Sequence, residues 1–342
     1  MINTVLASAL LLSLRLTPDV TGVEGYKQPQ LVASGSRVAM TFGSPNTVWV
    51  AVSEDGGASF SPPVKVATVE KLPLGRRRGP RIAIAGGRLL VTAIRDGNVA
   101  VWSSADNGRT WDKPRVINDV PNAAREGFQS VSAIGNRVLV TWLDLRTKAM
   151  QLYSAVSNDG GATWGPNTLV YASPDGHICE CCHTTAVIGA DGKLYAMYRN
   201  WLGGDRDMYL AISSDNGKSW QPQKLGQGSW VLNACPMDGG SVEVDRSGKI
   251  TTVWRRDDTV YVSEAGKPER ALGKGTQPQI VGNSLIVWSD GPALKLLRPG
   301  QSEPTTLTPS GAFVTLAPLD GGSVLAAWED KGAIQTERIG VK

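Results

Sequence analysis

Histidine and cysteine are nearly absent from this chain, with two histidines and four cysteines in 342 residues. A strong charge of one sign is also missing. The net charge is +4, acids and bases are interspersed, and no basic stripe alternates with aromatics, which argues against a nucleic-acid partner. No apolar run is long enough to span a bilayer. The longest, residues 5–14, has the length of a secretory h-region. Residues 1–20 are therefore expected to be a signal peptide and the protein periplasmic or secreted; the competing reading is a buried first strand. Helical periodicity is scarce, and no Pro- or Ser-rich boundary interrupts the interior. Residues 21–342 read as a single all-β domain, expected to be monomeric.

What the chain has in quantity is turn-forming residues, with 39 glycines and 20 prolines, and 11 tryptophans. Four octets repeat one pattern: "SEDGGASF" from Ser53, "SADNGRTW" from Ser104, "SNDGGATW" from Ser157 and "SSDNGKSW" from Ser213. Their starts lie 51, 53 and 56 residues apart, and each follows a β-rich run such as "TVWVAV" or "MQLYSAV". Asp and Asn accept local backbone hydrogen bonds, Gly supplies positive φ, and the closing aromatic plugs the turn. Seven strand–turn–strand openings share this rhythm, among them "PRIAIAGGRLLVTAI" and "TTAVIGADGKLYAMY".

The octet resembles the Asp-box, or BNR repeat, of the sialidase-like β-propellers, over about residues 26–226. The resemblance implies a β-propeller, a fold that closes radially and leaves few free sheet edges. Relatives of this kind are usually six-bladed, whereas seven openings imply seven, so six or seven blades are expected. For a sialidase-like exo-glycosidase acting on carboxylated sugars, the resemblance implies three arginines on a substrate carboxylate. It assigns Arg81 and Arg199 to the first two, with only Arg255 or Arg256 for the third. The family's helper glutamate would stand eight residues before Asp191, where this chain has His183; Glu180 is nearby but out of register. No tyrosine occupies the late-blade position of the nucleophile. The chain thus resembles a branch outside the sialidases, one with a Cys/His cluster.

That cluster is "HICECCH", residues 177–183, which holds both histidines and three cysteines; the fourth cysteine opens "CPMDGG" at Cys235. Each segment leads into the first strand of a blade, so the two should meet at the mouth of the central channel, where this fold binds ligands. Three readings compete. Thiolate, imidazole and thioether donors suit a metal, copper as Cu(I) ahead of zinc. The candidate ligands are His177, Cys179, Cys181, Cys182, His183 and Cys235, with Met237 as a further sulfur; Cys179, Cys182, Cys235 and one histidine are preferred. In a straight strand, same-face residues would sit about 6.6 Å apart, too far for one ion, so the loop must curl, or only a subset ligates, or more than one ion binds. The second reading is a disulfide such as Cys179–Cys235 stapling two blades. The third is a thiol activated by an imidazole.

Around the same mouth, Glu180 and Asp238 are expected to orient metal-bound imidazoles, with Glu126 and Gln129 as lesser candidates. "GRRRGPR" offers Arg76, Arg77, Arg78 and Arg81 as a patch for a small anionic or sugar ligand. The expectation is an exported propeller with a Cys/His metal site, for metal handling or metal-assisted chemistry. A sialidase-like hydrolase and a disulfide-stapled scaffold without catalysis are the alternatives.

Overall fold

The computed structural model describes residues 13–16, 25–282 and 284–340. Seven four-stranded antiparallel sheets surround one axis, so the blade count is seven. The inner strands are Lys27–Ser34, Arg81–Ala85, Ser130–Ile134, Thr185–Ile188, Gly240–Val244, Thr276–Val281 and Ala312–Leu319. Each packs beside the next, and the last packs beside the first, which closes the ring. They run in one direction: Ala186 N–H donates to Ser130 Oγ and Ile188 N–H to Ser132 Oγ, both at 3.0 Å. Every inner strand thus starts at one face of the disc, the upper face, and ends at the lower.

Most of segment 1–20, where a signal peptide is expected, lies outside the described residues. Ser13–Leu16 are described, and they form the outer strand of the seventh blade. They run antiparallel to Ala333–Gly340, with Ser13 opposite Glu337 and Leu16 opposite Ile334.

Blades stack face against face, so their second strands are covered on both sides and lose the alternation of a half-solvated strand. Arg37–Ser44 and Leu194–Arg199 are buried almost throughout. Apolar clusters fill the gaps between neighbouring blades, for example Phe128, Leu139 and Leu143 with Ile188 and Tyr198 between the third and fourth. Each large apolar side chain buried this way contributes about 1.5–3 kcal/mol, and this repeated term dominates cohesion of the ring. Among the described residues no helix is long and apolar enough to cross a membrane.

The four octets sit at the lower face, between third and fourth strands. In the third blade Gly161 N–H donates to Ser157 Oγ at 2.9 Å, and Ser157 Oγ–H donates to Asp159 Oδ1 at 2.7 Å. Thr163 N–H and Oγ1–H donate to the same carboxylate at 2.8 and 2.5 Å. The same set recurs around Asp55, Asp106 and Asp215. Gly57, Gly108, Gly161 and Gly217 all have φ between 82° and 86°, a region that only glycine enters without strain. Hydrogen bonds from Ser59, Thr110, Thr163 and Ser219 hold the four carboxyls at about 2, far below the usual value.

Candidate functional site

The upper face carries the blade-to-blade connections. Connection 172–184 is pinned by Ile178 N–H to Met150 O (2.9 Å) and Cys179 N–H to Arg199 O (3.2 Å), then turns sharply at 180–182. The turn is the curl that a single-ion site requires. It draws Cys179, Cys181 and Cys182 into a triangle with Sγ separations of 3.6, 3.4 and 4.0 Å. All three are buried, at 1%, 7% and 2% exposure, and all four cysteines are free. A triangle of these sides has its centre about 2.1 Å from each sulfur, just inside a Zn–S bond length of about 2.3 Å. The trio is also the one His/Cys/Asp/Glu group among the described residues whose ligand atoms lie close enough for a metal.

Its electrostatics are uneven. The thiols of Cys181 and Cys182 donate to Cys179, and the charges of Arg199 and Arg206 add to them, so Cys179 is held as the thiolate. Cys181 is pushed up chiefly by the Cys179 thiolate beside it, and Cys182 chiefly by burial. Arg206 is the direct cationic contact, with Nη1 3.2 Å from Cys179 Sγ. It also donates through Nε to Leu232 O at 3.1 Å and lies 5.1 Å over Trp201, whose other contact is His177, stacked at 4.5 Å. Arg206 was not a sequence candidate. The available signal was loop length: eight residues, 200–207, separate the second and third strands of the fourth blade, against two in the first and second.

Connection 225–239, from the next blade, covers the trio. Cys235 is exposed and stands close enough to Cys181 to help push that thiol up, while Met237 packs half-buried against the trio. The expected meeting of the two segments is present, but its donors are sulfur. Both histidines lie outside the triangle. His177 stacks on Trp201, with Nδ1 3.6 Å from exposed Glu180. His183 is buried and accepts from Gly239 N–H at Nδ1 (3.2 Å), so its proton is on Nε2, an atom without a hydrogen-bond partner. Burial, with Arg77, Arg81 and Arg199 nearby, keeps this imidazole neutral. A Cβ at position 239 would lie 2.9 Å from the ring, so glycine is required there. The preferred set of Cys179, Cys182, Cys235 and a histidine is therefore replaced by Cys179, Cys181 and Cys182, with Cys235 and Met237 alongside.

The arginines have other employment. Arg199 donates to three backbone carbonyls: Asp238 O at 3.0 Å, Arg206 O at 2.6 Å and Arg255 O at 2.8 Å. Arg81 donates to the carbonyls of Arg77, Gly79 and Gln129. Arg77 reaches from the entry to the second blade to Gln277 O at 3.2 Å and Val314 O at 3.0 Å, in the sixth and seventh blades. Burial draws Arg77 down to about 10 and Arg81 to about 9, still cationic near neutrality. Arg256 pairs with Glu269 at 2.5 Å, and Arg255 lies over Trp230. The expected anion patch is thereby divided: Arg76 is exposed, Arg78 pairs with Glu126 at 3.2 Å, and Arg77 and Arg81 are committed to the scaffold. Asp238 also departs from expectation. It accepts Gln277 N–H at 2.9 Å on Oδ2, bridging the fifth and sixth blades, and orients no imidazole; burial raises its carboxyl. Gln129 braces Gly79 O in the same way, at 3.2 Å.

A cavity of about 990 Å³ lies at the opposite end of the axis, lined by aliphatic residues such as Val32, Ile82 and Val131 together with Glu243, Asp245 and Arg246.

Known proteins support this picture at the level of fold. The family model of a BNR repeat-like domain matches residues 96–237, a span that contains three of the four octets. No curated protein matches the chain. Among solved structures, a protein of unknown function from Dyadobacter fermentans is similar at 15% identity and a TM-score of 0.57, over 96% of this chain and 98% of that one. An α-L-arabinanase from Penicillium chrysogenum, complexed with arabinobiose, gives 15% and 0.55 over 97% and 98%. The polysaccharide lyase Uly1 gives 10% and 0.63 over 94% and 91%. What these likenesses share with the chain is the fold, over nearly the whole length of both chains.

Proposed function

We propose that this propeller binds and handles a soft metal ion, copper as Cu(I) ahead of zinc, through the thiolates of Cys179, Cys181 and Cys182. The observation that carries the reading is the buried triangle of sulfurs 3.4–4.0 Å apart. Soft thiolate donors select Cu(I), zinc or iron–sulfur species. Structural zinc almost always takes four ligands in a tetrahedron, whereas three sulfurs with a thioether beside them suit Cu(I). Arg206 offsets part of the anionic charge that three thiolates accumulate.

A hydrolytic reading is less well supported. The arginines that the Asp-box resemblance would turn toward a carboxylate, Arg81 and Arg199, donate instead to backbone carbonyls. Anaerobically purified protein should take up one equivalent of Cu(I) per chain and lose it in the Cys179→Ser/Cys182→Ser double variant. Copper retained by that variant, or four cysteines still freely titratable in the loaded protein, would refute the reading.

A further inference from the structure

We infer that Cys235 is the exchange ligand of this site, the thiol through which an ion passes between an external thiol-bearing metal donor and the buried trio. The inference rests on the metal-site reading above and gives it a direction. The three trio cysteines are nearly sealed, and Cys181, at 7%, is the most exposed of them. Cys235, the exposed cysteine of the chain, stands two residues before Met237, which packs against the trio, and near enough to Cys181 to act on its thiol. A path from solvent to the triangle therefore meets Cys235 first and Cys181 second.

The connection that carries Cys235 is built to present it. On one side Leu232 is fixed, its carbonyl accepting from Arg206 at 3.1 Å and its N–H donating to Gly204 O at 3.3 Å. On the other, Met237 O accepts from Gln277 Nε2 at 2.8 Å. Between these anchors, Asn233, Ala234 and Cys235 are exposed. Arg206 ties the arrangement together, because the guanidinium that holds Leu232 also touches Cys179.

The transfer is a ligand exchange without change of oxidation state. The Cys235 sulfur forms a bond to the ion as one donor-thiolate bond breaks. Cys181 and then the rest of the trio displace the remaining donor ligands, and finally Cys235 itself. Each protein thiol that binds gives up its proton to solvent or to the departing thiolate, so charge and protons balance.

The test separates rate from affinity. Full-length protein and its Cys235→Ser and Cys235→Ala variants are loaded with Cu(I) without oxygen and mixed with bicinchoninate as a coloured acceptor. Loss of an exchange ligand should slow transfer in both directions by about tenfold or more while the equilibrium affinity moves by less than about threefold. Cys181→Ser should instead weaken affinity by about a hundredfold. An affinity loss in Cys235→Ser as large as that of Cys181→Ser would make Cys235 a permanent ligand and overturn the proposal. Unchanged rates would make it a bystander. Wild-type protein that takes up no Cu(I) would sink the site itself, a failure distinct from either.

Discussion

The two faces of this disc are made from the same seven sheets and solve different problems. On the lower face each of the first four blades ends in the same Ser–Asp–Gly–Ser/Thr turn, repeated to within a few tenths of an ångström. Side chains there bond within their own octet, and neighbouring octets touch lightly, as where Asn216 donates to Asn158 at 3.3 Å. On the upper face nothing repeats closely. Connections 172–184 and 225–239 differ in sequence and shape, and they place thiols, guanidiniums and indoles against one another. Periodicity marks the region whose work is local, and its loss marks the region where residues from different blades cooperate.

The comparison predicts that variants on one face leave the other's property intact. The largest effect should come from Cys181→Ser combined with Cys182→Ser: Cu(I) affinity falls by a hundredfold or more, about the upper end of ligand-shell effects, while thermal unfolding barely moves. Competition titration and calorimetry on the same preparation would show both. Arg199→Ala should blur the division. It strands the carbonyls of Arg206, Asp238 and Arg255, costs about 3 kcal/mol or more in stability, and loosens the cysteine turn that hangs on the Arg199 carbonyl. If Arg199→Ala destabilises without weakening metal binding, the upper face is less unified than described. Arg206→Gln should reduce affinity by about tenfold with little change in melting temperature, and Arg206→Lys should restore part of it.

On the lower face, Asp159→Ala should lower the melting temperature and leave copper uptake unchanged. The smallest effect is on pH dependence. The four octet carboxyls lie at about 2 in the folded state against an ordinary 3.8. Their stabilisation is complete above pH 3.8 and drains away as the pH falls toward 2. Melting temperatures measured across that interval should fall less steeply in Asp159→Asn than in the wild type.

The lower face was legible in the sequence because its hydrogen bonds close within seven residues, so the pattern of side chains is the structure. The seven strand–turn–strand openings likewise marked the blades. The convergence of 179–182 with 235–237 was readable from where each segment meets its inner strand. The roles of His177 and His183 were not. Scarcity in the sequence suggested that a histidine joins the sulfurs, whereas the turn at 180–182 brings three sulfurs together, leaves His177 on an indole and buries His183 against Gly239. The arginines were opaque for a related reason. A guanidinium that clamps a ligand and one that clamps three carbonyls look alike in sequence, and the difference depends on which loop ends the fold brings within reach. Arg206 acts through a thiolate 27 positions away in the chain.

The stack of His177, Trp201 and Arg206 has an optical corollary. An indole held between an imidazole and a guanidinium, with that guanidinium resting on Cys179, is coupled to the charge of the sulfur cage through a single side chain. If the cage takes up the proposed ion, the field at Trp201 should change, and its fluorescence is expected to report loading. The difference between wild-type and Trp201→Phe emission isolates that signal from the other ten tryptophans and reads the site without an added dye.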